Sequence, residues 1–221
     1  MKTPIIINEI RFSKPAKKFD FKKELLKSIA PKKFKNIPPV IESTQISLKD
    51  ENAKIVVENS RVAISMHNVE NISDSLGTIY KFQKKINDFL EWEDVSRIGL
   101  RFNYVKQVNL SFVSLLGKFK KYFYSQNSLI DGTSDLAVVL DFKVENGSEI
   151  HYKAGPMDRN QLKKLFPNFR KPPSRCIFFD IDFFKRKETK FSNKFLKDFL
   201  TDANNGIVEK IQQTSDITSN N

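Results

Sequence analysis

The sequence predicts an α+β fold, an antiparallel sheet with helices packed on one face. Three observations carry this expectation. Short segments with alternating apolar and polar residues recur along the 221 residues. Longer segments with apolar residues every three or four positions separate them. Tight turns, such as Asn146-Gly147, join neighbouring strands as hairpins require.

Residues 5–12 alternate and read as the first strand. A helix follows at about 20–30, with Asp20 as N-cap and Phe21, Leu25, Leu26 and Ile29 on one stripe. Pro31, Pro38 and Pro39 punctuate a loop. Three strands are expected near 42–49, 53–59 and 61–67, joined by turns at Asp50-Glu51-Asn52 and Asn59-Ser60. A long amphipathic helix covers 72–91, with Ile72, Leu76, Ile79, Gln83, Ile86 and Leu90 along it.

The second half repeats the order. A strand spans 95–106 and a helix 110–124. Strands follow at 135–145 and 148–155, then a basic, proline-containing insertion at 156–175. A strand at 176–185 and a helix from Ser192 to about Gln212 complete it. Glu9-Ile10-Arg11-Phe12 aligns with Gly99-Leu100-Arg101-Phe102 at an offset of 90, and Leu25-Leu26 with Leu115-Leu116 at the same offset. The expected organisation is therefore an internal duplication of a β-α-β-β-β-α unit. Residues 1–92 form one half, 93–212 the other, and 213–221 a disordered polar tail. By analogy, each half has the topology of the TATA-box-binding fold, which implies nothing about function.

Composition narrows the function classes. Apolar residues make up 39%, a globular value. The single Cys176 permits neither an internal disulfide nor a Cys-based zinc site. No apolar run approaches the ~18 residues of a membrane span, and the N-terminal residues do not read as a signal peptide. A cytoplasmic protein without membrane contact is expected. The net charge is +12, concentrated at 14–35 (nine Lys against Asp20 and Glu24), 118–121, 159–175 and 185–190. Such an excess favours polyanions.

Splitting each strand into its two faces locates the charged side chains. Ile98, Leu100, Phe102 and Tyr104 share one face, and Arg97, Gly99, Arg101 and Asn103 the other. Likewise Ile177, Phe179, Ile181 and Phe183 oppose Phe178, Asp180, Asp182 and Phe184. Glu9 and Arg11 share a face, as do His151 and Lys153. One sheet face thus carries Arg, Asp, Lys and His from distant strands. Two readings fit it: cross-strand ion pairs of Arg97 and Arg101 with Asp180 and Asp182, or a surface whose arginines meet an anionic partner.

Catalytic signatures are missing from the sequence. The seven glycines form no phosphate cradle, His67 and His151 lie in separate strands, and there is no nucleophile elbow. Cys176 opens an apolar strand, where a buried thiol is inert. No catalytic residue, metal site or cofactor is assigned.

Arg97-Ile98-Gly99-Leu100-Arg101-Phe102 resembles the hallmark strand of a sporadically distributed family of uncharacterised bacterial proteins. The likeness extends to Glu9–Phe12, to Tyr80 and Phe82 in the preceding helix, and to Asp180-Ile181-Asp182, covering residues 4–212. Where that family continues Tyr-Ile-Asn, this chain has Phe102-Asn103-Tyr104. The family has no established activity, so the resemblance implies no catalytic residues. Its patchy occurrence implies a mobile or defence-related context.

The expected function is a non-enzymatic binding module for nucleic acid or an acidic protein. Arg11, Arg97 and Arg101 would contact the anion, supported by Lys22, Lys23 and Lys27 on the outward face of the first helix. Two rivals remain. A metal-assisted phosphate-ester hydrolase or transferase would use the Asp180/Asp182 pair, about 6.5–7 Å apart on one strand face. A protein–protein regulatory module would present an apolar patch.

Overall fold

The computed structural model describes residues 2–29, 40–42, 45–49, 52–124 and 132–215. The element order is β1 (Lys2–Phe12), α1 (Lys22–Ile29), β2 (Val40–Ile41), β3 (Gln45–Lys49), β4 (Ala53–Glu58), β5 (Arg61–Val69) and α2 (Ile72–Leu90). Then come β6 (Asp94–Gln107), α3 (Phe112–Tyr124), β7 (Val138–Lys143), β8 (Glu149–Asp158), α4 (Arg159–Leu165), β9 (Arg175–Lys185), β10 (Thr189–Lys190) and α5 (Asn193–Ser215). The expected loop prolines Pro31, Pro38 and Pro39, and Asp50-Glu51 of one expected turn, lie outside the described residues.

The fold is α+β, and its strands form one antiparallel sheet in the order β2-β3-β4-β5-β1-β6-β9-β8-β7, with β10 beside β6. The centre is the β1–β6 pair, where Glu9 faces Gly99 and Arg11 faces Arg97. Outward from that pair the flanks read β5-β4-β3 and β9-β8-β7, the same order on both sides. This is a symmetry of topology; among the described residues α4 and β10 have no counterpart in the first half, and β2 has none in the second.

Four helices cover one face. Leu25 and Ile29 of α1, Ile79 and Ile86 of α2, Leu115 and Phe119 of α3, and Leu196 and Ile207 of α5 join a single core with Ile6, Ile10, Leu100, Phe179 and Ile181. Each of the fully buried aliphatic side chains in it contributes about 1.5–3 kcal/mol. The core also holds a polar bridge. Gln83 of α2 donates to Asn8 Oδ1 at 2.6 Å, and Asn8 Nδ2 donates to the Gly99 carbonyl at 2.9 Å. Buried amides need such partners, and this one stitches α2, β1 and β6 together.

Several expectations need correction. Asp20 is not the N-cap of α1: the Leu25 amide donates to the Phe21 carbonyl, so Phe21 occupies the cap position. Phe21 is 56% exposed and leaves the apolar stripe, while Phe19, in the preceding turn, is buried instead. The expected polar tail starts too early at 213. α5 runs through Ser215, Tyr152 Oη and Thr214 Oγ1 are 2.5 Å apart, and Lys106 Nζ donates to the Ser215 carbonyl at 3.0 Å. Residues 216–221 lie outside the described residues.

The insertion at 156–175 is the main departure. β8 continues to Asp158 and stays paired with β9 as far as Arg175, so the excursion spans only 159–174. Asp158 and Gln161 close a capping box at the start of α4, with both bonds at 2.9 Å. Helix α4 lies on the opposite sheet face from the other four. Its Leu162 packs with Val105, Cys176 and Phe178, and Met157, Phe166 and Phe169 join them. Strand alternation sets Val105 against Tyr104, and Phe178 against Phe179, so this second cluster is on the outer face.

Candidate functional site

The outer face divides into two parts. One end bears an ion ladder made by strand register. Glu58 pairs with Arg61 across the β4–β5 hairpin, and Arg101 stands opposite Asp182 across β6–β9. Arg11 and Arg97 stand directly opposite each other, which would repel. Both instead donate to Glu9 Oε1, at 2.7 Å from Arg11 Nε and 3.1 Å from Arg97 Nη1. Glu9 Oε2 accepts from Arg61 Nη1 at 3.2 Å, and Arg61 Nη2 reaches Glu58 at 2.5 Å. Arg97 Nη2 continues to Asp182 Oδ2 at 3.0 Å. Arg101 grips Asp180 with two parallel bonds, 2.6 Å from Nε and 2.5 Å from Nη2.

Gly99 explains the spacing of the Arg97-x-Gly99-x-Arg101 strand. A Cβ there would stand 3.2 Å from Arg97 Nη1 and 3.4 Å from Asp182 Oδ1. The missing side chain therefore leaves the floor across which the Arg97 guanidinium lies. Phe184 flanks it, with the guanidinium carbons of Arg97 and Arg186 at 5.1 and 4.7 Å from its ring centre.

The ladder is electrically balanced: Arg11, Arg61, Arg97 and Arg101 meet Glu9, Glu58, Asp180 and Asp182. Its middle is partly shielded, with side chains of Glu9, Arg97 and Asp182 only 17, 19 and 24% exposed. Burial raises the Asp182 carboxyl above the ordinary carboxylate value, although Arg97 and Arg101 pull it down. Arg97 gives Asp182 a single bond through Nη2 while its Nη1 serves Glu9, and Arg101 is bonded to Asp180. The hydrogen bond to Asp180 raises the Arg101 guanidinium.

Of the residues expected to bind an anion, Arg11, Arg97 and Arg101 are together on this face but engaged by carboxylates. Lys22, Lys23 and Lys27 do not join them. They ride on α1, whose buried Leu25, Leu26 and Ile29 enter the helix-side core, so the sheet separates the two sets. Lys22 Nζ also donates to the Glu42 carbonyl at 2.9 Å. Asp180 and Asp182 share a face as expected, yet each bonds a guanidinium. Among the described residues, no group of three or more His, Cys, Asp or Glu could hold a metal ion. Cys176 is buried, and burial pushes its thiol up to about 12, so it is no nucleophile at neutral pH.

The other end of the outer face is covered by a basic cap, α4 and the loop to β9. Residues 159–174 contain Arg159, Lys163, Lys164, Arg170 and Lys171 and no carboxylate; with Arg175, which opens β9 opposite Asp158, residues 159–175 carry +6 of the protein's +12. Leu162, Phe166 and Phe169 hold the cap down. Asn68 of β5 fastens its far side, donating to the Asn168 carbonyl at 3.2 Å and accepting from the Arg170 amide at 2.8 Å. Arg159, Lys163, Lys164 and Arg175 are exposed. The expectation counted 159–175 among the basic clusters that favour polyanions but named no anion contact in it, treating it as a connecting insertion. The available signal was Leu162, Phe166 and Phe169 at i, i+4, i+7, an apolar stripe that makes a basic segment dock rather than dangle.

No helix among the described residues is long and apolar enough to cross a membrane. No protein-family model matches the chain, and no curated protein matches it significantly.

Proposed function

We propose that the protein is a non-enzymatic cytoplasmic binding module for nucleic acid, and that the basic cap makes the contact. The observation that carries this reading is the charge contrast on one face. Four arginines of the ladder are matched by four carboxylates, while Arg159, Lys163 and Lys164 of the cap are exposed in a segment without any. A cation already bonded to a carboxylate must lose that partner before it meets a phosphate; an exposed one releases only counterions. The arginines Arg11, Arg97 and Arg101 thus serve the sheet, and the cap takes over the role the alternation suggested for them. The hydrolase reading lacks support, since Asp180 and Asp182 are both committed to arginines.

Beside its exposed Asn160 and Asn168 the cap presents mainly Lys and Arg, so the contact is chiefly to the phosphate backbone. The test is fluorescence anisotropy with a labelled single-stranded oligonucleotide over a range of salt. The expected log–log slope is about −0.7 for each phosphate neutralised, near −3 to −4 if most of the cap engages. Absence of binding at the lowest salt overturns the reading. An equally steep response to an acidic peptide, with none to the oligonucleotide, reassigns the cap to an acidic protein.

A further inference from the structure

At the outer edge of the cap lies a cavity of about 430 Å³, lined by Gln107, Arg159, Lys163, Lys171 and Ser174, with Pro172 and Pro173 completing the wall. Arg159 and Lys163 are four residues apart on α4 and so neighbours on one helix face. Lys171 enters the lining from the loop. No carboxylate belongs to the lining. The Arg159 amide donates to the Ser174 carbonyl at 3.1 Å and closes the loop onto the helix.

The loop is held in a costly shape. Lys171 has φ of 51°, a left-handed conformation that a residue with a Cβ adopts only under constraint. The constraint comes from both sides. Pro172 and Pro173 follow, with Pro173 buried, and Asn68 clamps Asn168 and Arg170 just before. Asn68 itself has φ of 53°. Two of the three non-glycine residues with positive φ in the described chain therefore meet at this loop. A floppy basic linker would need neither.

We infer that this cavity binds a phosphate monoester, the terminal phosphate of a nucleic-acid strand. This rests on the nucleic-acid reading above and sharpens it into recognition of an end. A terminal phosphate carries a charge of about −1.5 to −2 near neutral pH and three acceptor oxygens. That suits a recess lined by three cationic residues, a hydroxyl and an amide. A phosphodiester inside a strand has a single charge and continues in both directions, which suits the open ridge bearing Lys164 better than a recess.

The experiment compares 5′-phosphorylated and 5′-hydroxyl forms of one labelled oligonucleotide, with the 3′ pair as a second arm. The wild type should prefer one phosphorylated form about tenfold, the worth of one or two charge-assisted hydrogen bonds. Arg159→Gln and Lys163→Gln, both at exposed positions, should abolish the preference, weakening the phosphorylated form more than the hydroxyl form until the two bind alike. Lys164→Gln should weaken both forms alike and keep the preference. Equal binding of all forms by the wild type overturns the inference, as does a preference that survives both lining substitutions. If no oligonucleotide binds, the nucleic-acid reading fails separately. A melting temperature raised by inorganic phosphate in the wild type but not in Arg159→Gln would then keep the cavity as a site for a free phosphate ester. No shift in either would discard both.

Discussion

Two ends of one sheet face use charge in opposite ways. The ladder sets Arg11, Arg61, Arg97 and Arg101 among four carboxylates, while the cap, residues 159–174, sets five cations in a segment with none. The difference follows from where the residues sit. A charge on a paired strand faces neighbours about 4.5–5.5 Å away on both sides, so it must be compensated or it destabilises the sheet. A charge on a surface helix or loop looks into water and is tolerated unpaired. Charged strand residues therefore speak first for stability, and exposed charges on a docked helix such as α4 speak for binding.

The largest expected effect breaks the cap's anchorage. Leu162, on the sheet-facing side of α4, is fully buried, and Leu162→Ala should cost about 2–4 kcal/mol if the cap unfolds with the domain. Chemical denaturation measures it. A loss below about 1 kcal/mol would mean that the cap opens alone, and hydrogen exchange at 159–174 would then exceed that of β6.

Next comes the ladder. Glu9→Gln leaves Arg11, Arg61 and Arg97 without their shared carboxylate and should destabilise by about 2 kcal/mol, less than a fully buried pair because the ladder is partly wetted. Oligonucleotide affinity should hold or rise slightly. Affinity that falls in step with stability would merge the two ends into one site.

A smaller effect is a pH dependence. Burial raises the Asp182 carboxyl, so the folded protein keeps that proton to higher pH than the unfolded chain. Its contribution favours folding at acid pH and is lost as pH rises through the folded value. Asp182→Asn should remove this downward step from the stability–pH curve, whereas a curve with the same step in the variant would assign it elsewhere. The smallest effect is on the cap itself. Neutralising Arg159, Lys163 and Lys164 together should change stability by less than about 0.5 kcal/mol, as for exposed surface substitutions.

Much of the ladder was legible before the structure. Period-two alternation put Arg97, Arg101, Asp180 and Asp182 on one face and named ion pairing among them as one reading. Which partner each arginine takes was not legible, because it depends on β9 lying beside β6 in one register. Glu58 and Arg61 were missed as ladder members, since they enter only when β5 is placed beside β1. The offset of 90 that aligns Glu9 with Gly99 also pairs them across the sheet centre, but local similarity alone could not reveal that. The cap was read as a connection on the strength of its prolines, and the stripe at Leu162, Phe166 and Phe169 went unread. Phe19 and Phe21 show the same limit at short range: helix phase decides which is buried, and α1 begins one turn's fraction later than its apolar pattern suggested.

The most direct test sets the two ends against each other in one assay. Salt-dependent anisotropy is measured for the wild type, for Arg159→Gln/Lys163→Gln/Lys164→Gln, and for the charge-neutral ladder pair Arg101→Gln/Asp180→Asn. The account predicts that the cap variant loses about 2 units of log–log slope, three contacts at 0.7 each, while the ladder variant keeps the wild-type slope. A ladder variant that loses slope while the cap variant keeps it would contradict the account and return the anion site to Arg101.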